Sequence, residues 1–211
     1  MVLLVFSLQT LAQVDHSRDA LLFGGQLSAF SHYNPDQAYP VQLGGRYIPQ
    51  LHYERRLPER RQFDLLGSAN IYGRSHIKNG EDVNSRGRIK PYRAWARYSS
   101  TQLELRAGLQ KINFGSASML RPLMWFDRID PRDPLQLTDG VWGVLGRYYF
   151  LNNANVWLWG LYGNHTTKGW EIIPTAKGIP EMGGRIQLPV PSGEAALTYH
   201  RRVADSRGRG E

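Results

Sequence analysis

From Ala20 onward the chain alternates apolar with polar or charged side chains at a period of two, and that period is the signature of β-strands. Nine runs can be set out, near residues 21–30, 41–54, 63–74, 88–99, 102–112, 141–150, 156–163, 182–188 and 194–201. In the first, Leu21, Phe23, Gly25, Leu27 and Ala29 share one face, with Gln26 and Ser28 on the other. In the fifth, Leu103, Leu105, Ala107 and Leu109 oppose Gln102, Glu104, Arg106 and Gln110. The seventh run is apolar on both faces and cannot be oriented. Pro49 lacks the N–H that a ladder needs, so it is read as a bulge or a strand end.

The connections between the runs alternate in length. About ten residues (31–40) are followed by the short RLPERR, then a polar stretch (75–87), then a tight turn at 99–101. The longest connection (113–140) is followed by a short turn (151–155), a long one (164–181) and the turn PVPSG. Short turns at one end of a meander and long loops at the other are the pattern of outer-membrane barrels. A soluble barrel or sandwich also has one apolar face. Three features favour the membrane form: oriented apolar faces free of Asp, Glu, Lys and Arg, tyrosines near strand ends (Tyr53, Tyr92, Tyr98), and loops longer than hairpins use. The expected fold is therefore all-β, an antiparallel meander of a transmembrane barrel with about nine strands visible. Leu43, Leu65, Ile71, Leu105 and Leu197 should face lipid, and Arg46, Arg93, Arg97, Arg106 and Arg185 the other side.

Composition narrows the function classes. The 211 residues contain no cysteine, which removes disulfides and thiolate metal sites. The net charge of +8 is scattered along the chain, without the clustering a nucleic-acid surface needs. Mean hydropathy is negative, as a wall apolar on one face allows. No apolar run is long enough for a membrane-spanning helix. Residues 1–12, MVLLVFSLQTLA, resemble the apolar core and cleavage zone of a secretory leader without its basic start. Residues 1–13 are read as a leader remnant and 14–211 as barrel, with a buried first strand or helix as the alternative for the start. The chain ends in the polar RRVADSRGRGE after a ninth strand. Bacterial single-chain barrels close with an even number of strands, so further strands are expected beyond residue 211.

Residues 105–134 read LRAGLQKINFGSASMLRPLMWFDRIDPRDP. Arg106, Gly108, Gln110, Ile112, Phe114 and Gly115, then Leu120, Pro122 and Pro131 to Pro134, resemble a motif of porin-like outer-membrane barrels of Gram-negative bacteria. Leu109 stands where that family usually has a second basic residue. The resemblance covers about thirty residues and implies a barrel without specifying its cargo.

Arg46, Arg74, Arg93, Arg97, Arg106, Arg147 and Arg185 fall on the polar faces, which Glu54, Asp64, Glu104 and Glu194 share. They predict a pore lining that favours anions, or ion pairs that stiffen the wall. The 113–140 connection carries Leu120, Leu123, Met124, Trp125, Phe126 and Ile129, too apolar to lie wholly in water. It should bend into the pore, with Trp125 and Phe126 against the wall and Arg121, Arg128 and Arg132 near the entrance. An external lid or partner-docking surface is the alternative.

Asp127, Asp130 and Asp133 have a spacing that suits a hard cation, but the interleaved Arg128 and Arg132 favour Arg–Asp turn pairing. Asn79, Glu81, Asp82 and Asn84 read as a solvated loop. No G-x-S-x-G or H-E-x-x-H is present, so no enzyme, catalytic residue, metal or cofactor is expected. The expected location is the bacterial outer membrane. The expected partners are its lipid and small polar or anionic solutes, with no nucleic acid, and self-association into a homo-oligomer is left open. The function expected is a porin-like channel, with a structural or surface-binding barrel that does not conduct as the alternative.

Overall fold

The computed structural model describes residues 2–16, 19–36, 38–78, 81–114, 123–127, 137–169 and 171–205. Among the described residues there are ten strands and no helix: β1 (Val2–His16), β2 (Asp19–Tyr33), β3 (Val41–Leu57), β4 (Arg61–Lys78), β5 (Glu81–Ser99), β6 (Leu103–Gln110), β7 (Val141–Tyr149), β8 (Asn155–Leu161), β9 (Glu181–Val190) and β10 (Gly193–Arg201). They lie in one sheet in sequence order, β1 to β10, an antiparallel meander. The chain divides into two compact units, residues 1–54 with 66–92, and residues 55–65 with 93–211.

In the first unit β1 pairs with β2 along its whole length, from Val2↔Tyr33 to His16↔Asp19. The stretch read as a leader is thus strand backbone here. β3 runs through Pro49 without interruption. The polar stretch 75–87, expected as a loop, is mostly strand, because β4 continues to Lys78 and β5 starts at Glu81. The hydroxyls of Ser75 and Ser85 lie 2.7 Å apart across the two strands. Pairing needs only backbone groups, so a hairpin polar on both faces can extend past the apolar runs. Leu43 and Ile71 are exposed, while Ile48 is buried and Arg46 half-buried.

In the second unit the turns are tight. Glu59 and Arg60 both adopt positive φ (59° and 58°), with Arg61 N donating to Pro58 O. Two consecutive left-handed residues suit the right-handed strand twist, although the pair is Glu-Arg and not the usual Asn-Gly. At the β7–β8 turn Asn153 takes φ 65°, and Phe150 N donates to the Ala154 carbonyl at 2.8 Å to close the loop. Burial alternates strictly along β7, where Val141 and Leu145 are buried and Trp142, Val144 and Tyr148 exposed. The same alternation orients β8, which the sequence leaves open. Trp157, Trp159 and Leu161 lie on the covered face and Leu158 on the open one. Leu65, Leu105 and Leu197 are on the open face. Leu109, expected with them, is buried, because the backbone at Gly140 packs on its side chain.

Candidate functional site

The site is the covered face of the second unit, and strand register assembles it. Each antiparallel pairing puts opposite residues on the same face. Glu104 faces Arg147, Arg147 faces Trp157, Trp157 faces Arg185, and Arg185 faces Thr198. One row over, Arg97, Arg106, Leu145, Trp159, Gly183 and His200 follow one another. A third row contains Gly108, Gly143, Leu161 and Glu181.

The RxGxQxIxF segment is the strand on which these rows turn. Arg106 pairs with Glu104 at 2.8 Å and stands over the Trp95 ring at 4.9 Å. Gly108 has φ +118°, and a Cβ there would lie 2.2 Å from the Ala94 carbonyl oxygen, so only glycine fits. Gln110, fully buried, donates to the carbonyl of Gly143 at 3.0 Å. Ile112 and Phe114 are buried and begin the apolar cluster.

The cationic side chains are held in place. Arg97 meets the buried Asp64 at 2.7 Å. Arg147 lies 3.9 Å from the Trp157 ring centroid and 3.5 Å from Glu104. Arg185 bonds Thr198 and Gln187 and lies 5.9 Å from the Phe114 ring centroid. Arg93 is buried and donates to the Thr138 carbonyl at 2.9 Å, which ties the end of the longest connection to β5. These arginines share one face, and Arg97, Arg106 and Arg147 are paired with carboxylates there. Arg106 Nε, Arg147 Nε and Trp157 Nε1 are buried with no hydrogen-bond partner among the described residues.

The longest connection folds onto this face. Phe114 and Phe126 pack with Leu145, Trp159 and Leu161. Phe114 lies 5.1 Å from Trp159, and Trp125 5.5 Å from the His200 ring. Gly183 makes room for Trp159, since a Cβ there would lie 2.5 Å from the indole. Arg121, Arg128, Arg132, Asp130 and Asp133 lie outside the described residues. Asp127 is buried. Arg46 and Arg74 belong to the first unit.

The second long connection is fixed by a buried ionic cluster that the sequence did not flag. Lys168 Nζ lies 2.9 Å from Glu181 and 3.1 Å from Glu171, and donates to Thr175. Arg202 reaches Glu171 at 3.6 Å and donates to the Ile173 carbonyl. Segment 174–176 then bridges 203–205 through backbone bonds. Trp159 donates to His200 Nδ1 at 3.1 Å, and His200 Nε2 lies 3.2 Å from Glu181. These contacts assign a neutral imidazole with its proton on Nε2. Glu181 and Glu171 already face cationic side chains, so a metal ion would have to displace Lys168. No family model, curated protein or solved structure matches the chain.

Proposed function

We propose that the chain is the membrane wall of a bacterial outer-membrane β-barrel of the porin-like kind, passing small polar or anionic solutes. The observation that carries this is the open face of the second unit. Leu105, Val144, Leu158, Met182, Ile186, Leu188 and Leu197 are all exposed there. The strand positions alternating with the covered face, from Ala94 on β5 to Tyr199 on β10, include no Asp, Glu, Lys or Arg, and the charge on this face of β10 is its last residue, Arg201, opposite Met182. Exposed aromatics lie on the same face: Tyr148 and Phe150 toward the short-turn end, Trp142 and Tyr162 toward the other, and Tyr199 within the band opposite Gly184. So wide an apolar surface is a liability in water, and an apolar band between aromatic girdles is what lipid selects. β6 to β10 have 7 to 10 residues each, close to the roughly 9–11 that a tilted strand needs to span a bilayer. The resemblance of the RxGxQxIxF segment adds to this reading.

The opposite face supports a polar passage. It carries Arg97, Arg106, Arg147 and Arg185 against Asp64, Glu104 and Glu194, and its buried unpartnered N–H groups call for solvent or solute. The packing of Phe114, Trp125 and Phe126 on this face favours a second reading, a barrel that is permanently plugged and binds or stiffens without conducting.

Single-channel recording of the full-length protein in a planar bilayer separates the two. The expected result is a conducting channel with anion preference. Changing Arg121, Arg128 and Arg132 to Ala together should lower that preference. Absence of any channel would favour the plugged barrel.

A further inference from the structure

A second constellation lies in the first unit, on the hairpin of β4 and β5. Tyr72, Arg74 and His76 of β4 and Asn84, Arg86, Gly87 and Arg88 of β5 line an open depression of about 470 Å³, in which Arg74, Asn84, Arg86 and Arg88 are exposed. Their placement follows from strand geometry. The Ser75 and Ser85 hydroxyls touch, so the strands are level at that pair. The even-numbered residues on both strands then share the opposite face.

Among the described residues, three guanidiniums and an imidazole line this space and no carboxylate does. Arg86 and Arg88 make no ion pair or hydrogen bond among the described residues. Like charges on neighbouring strands of one face repel, and nothing else in the lining neutralises them. Other members are already oriented. Arg74 Nε donates to the Tyr72 hydroxyl at 2.8 Å, and Arg46 stands over the same ring at 5.4 Å. The His76 ring meets Tyr39 edge-on at 6.1 Å. The depression therefore has fixed donors on the β4 side and two uncommitted guanidiniums on the β5 side.

We propose that this hairpin depression is a binding site for a multiply charged phosphate-type oxyanion of about diphosphate size. Arginine forks match phosphate oxygens two at a time, and the volume falls in the range of small-ligand sites. Arg86 and Arg88 would grip the anion from one strand. Arg74, steadied by Tyr72, and His76 would grip it from the other, and the Asn84 amide would add a neutral donor. The same chemistry is offered by a free phosphorylated solute and by a phosphorylated lipid headgroup. The site goes beyond the channel reading, since a barrel that does not conduct would bind the anion equally well.

The test uses the whole chain in neutral detergent micelles. Calorimetric titration with inorganic pyrophosphate is one arm. Titration with neutral vesicles carrying a diphosphorylated glucosamine lipid is the other. The expected result is saturable binding in at least one arm that weakens with salt and falls at least about tenfold in an Arg86→Ala, Arg88→Ala double variant, as loss of two charge-assisted contacts implies. Arg86→Lys, which keeps the charge and loses the fork, should fall between the two, and circular dichroism should match the parent for all variants. Binding of pyrophosphate without binding of the lipid identifies a free solute, and binding in both arms identifies the shared phosphate chemistry. Binding in the lipid arm alone identifies a headgroup. No binding in either arm, or binding unchanged in the double variant, overturns the proposal.

Discussion

The two units use the same alternation to different ends. In residues 1–54 and 66–92 the strands are long, and the described buried apolar side chains are few, Ala20 and Ile48. β2 to β5 have 15 to 19 residues. In residues 55–65 and 93–211 the strands β6 to β10 are half that length, and two long connections return over one face. There the polar face has become a core of Ile112, Phe114, Phe126, Val141, Leu145, Trp159 and Leu161. The lesson is that an antiparallel wall needs nothing but pairing to form, whereas covering it changes what its inner face must be made of. Where a connection returns, aromatic residues and compensated charges replace solvated polar groups.

That contrast can be broken from either side. The largest effect is expected where a covering connection meets the wall. Glu181→Ala leaves Lys168 and His200 buried without their shared carboxylate. It should cost about 3–5 kcal/mol, the usual consequence of breaking a buried ion pair, read as a lower urea midpoint in micelles. A loss below about 1 kcal/mol would mean that the 164–180 connection is not held by this cluster.

Gly108→Ala tests the motif strand itself. The positive φ and the approach to Ala94 O predict a loss of about 1–3 kcal/mol in the same measurement. A neutral substitution would show that the strand relaxes freely. In the first unit Ser75→Ala removes only an exposed hydroxyl pair and should change stability by no more than about 0.5 kcal/mol. A larger loss would mean that this hairpin is not self-supporting pairing and would erase the contrast.

The sheet was legible because one face of most strands is apolar and the other is not. Residues 103–106 alternate as Leu-Glu-Leu-Arg and place themselves. β8 did not, because Trp157 and Trp159 face a surface that is itself apolar, packed by Phe114 and Trp125 from a distant connection. Hydrophobicity cannot distinguish lipid from a returning loop. Leu109 was misassigned for the same reason, covered by the backbone at residue 140.

Only the outer part of the β4–β5 hairpin, within residues 75–87, is missed, because its polar composition reads as a loop. The Asn79-Gly80 dipeptide, the strongest short hairpin signal, lies between the two strand ends and would have marked it. Lys168 and Glu171 are a local pair three residues apart, but only the return of the 162–180 connection brings Glu181 to them. Of the candidate site, the sharing of one face by the arginines and the packing of Trp125 and Phe126 against the strands were legible. The partners that hold them were not.

The central claim is that the open face of the second unit meets lipid while the covered face does not. The chain has no native cysteine, so single cysteines at Val144 and Leu197 (open) and at Arg147 and Thr198 (covered) can each carry an environment-sensitive fluorophore. With the full-length protein in bilayers containing a quencher in the acyl chains, labels at 144 and 197 should be strongly quenched and labels at 147 and 198 spared. Equal quenching at all four positions, or quenching at none, would contradict the account.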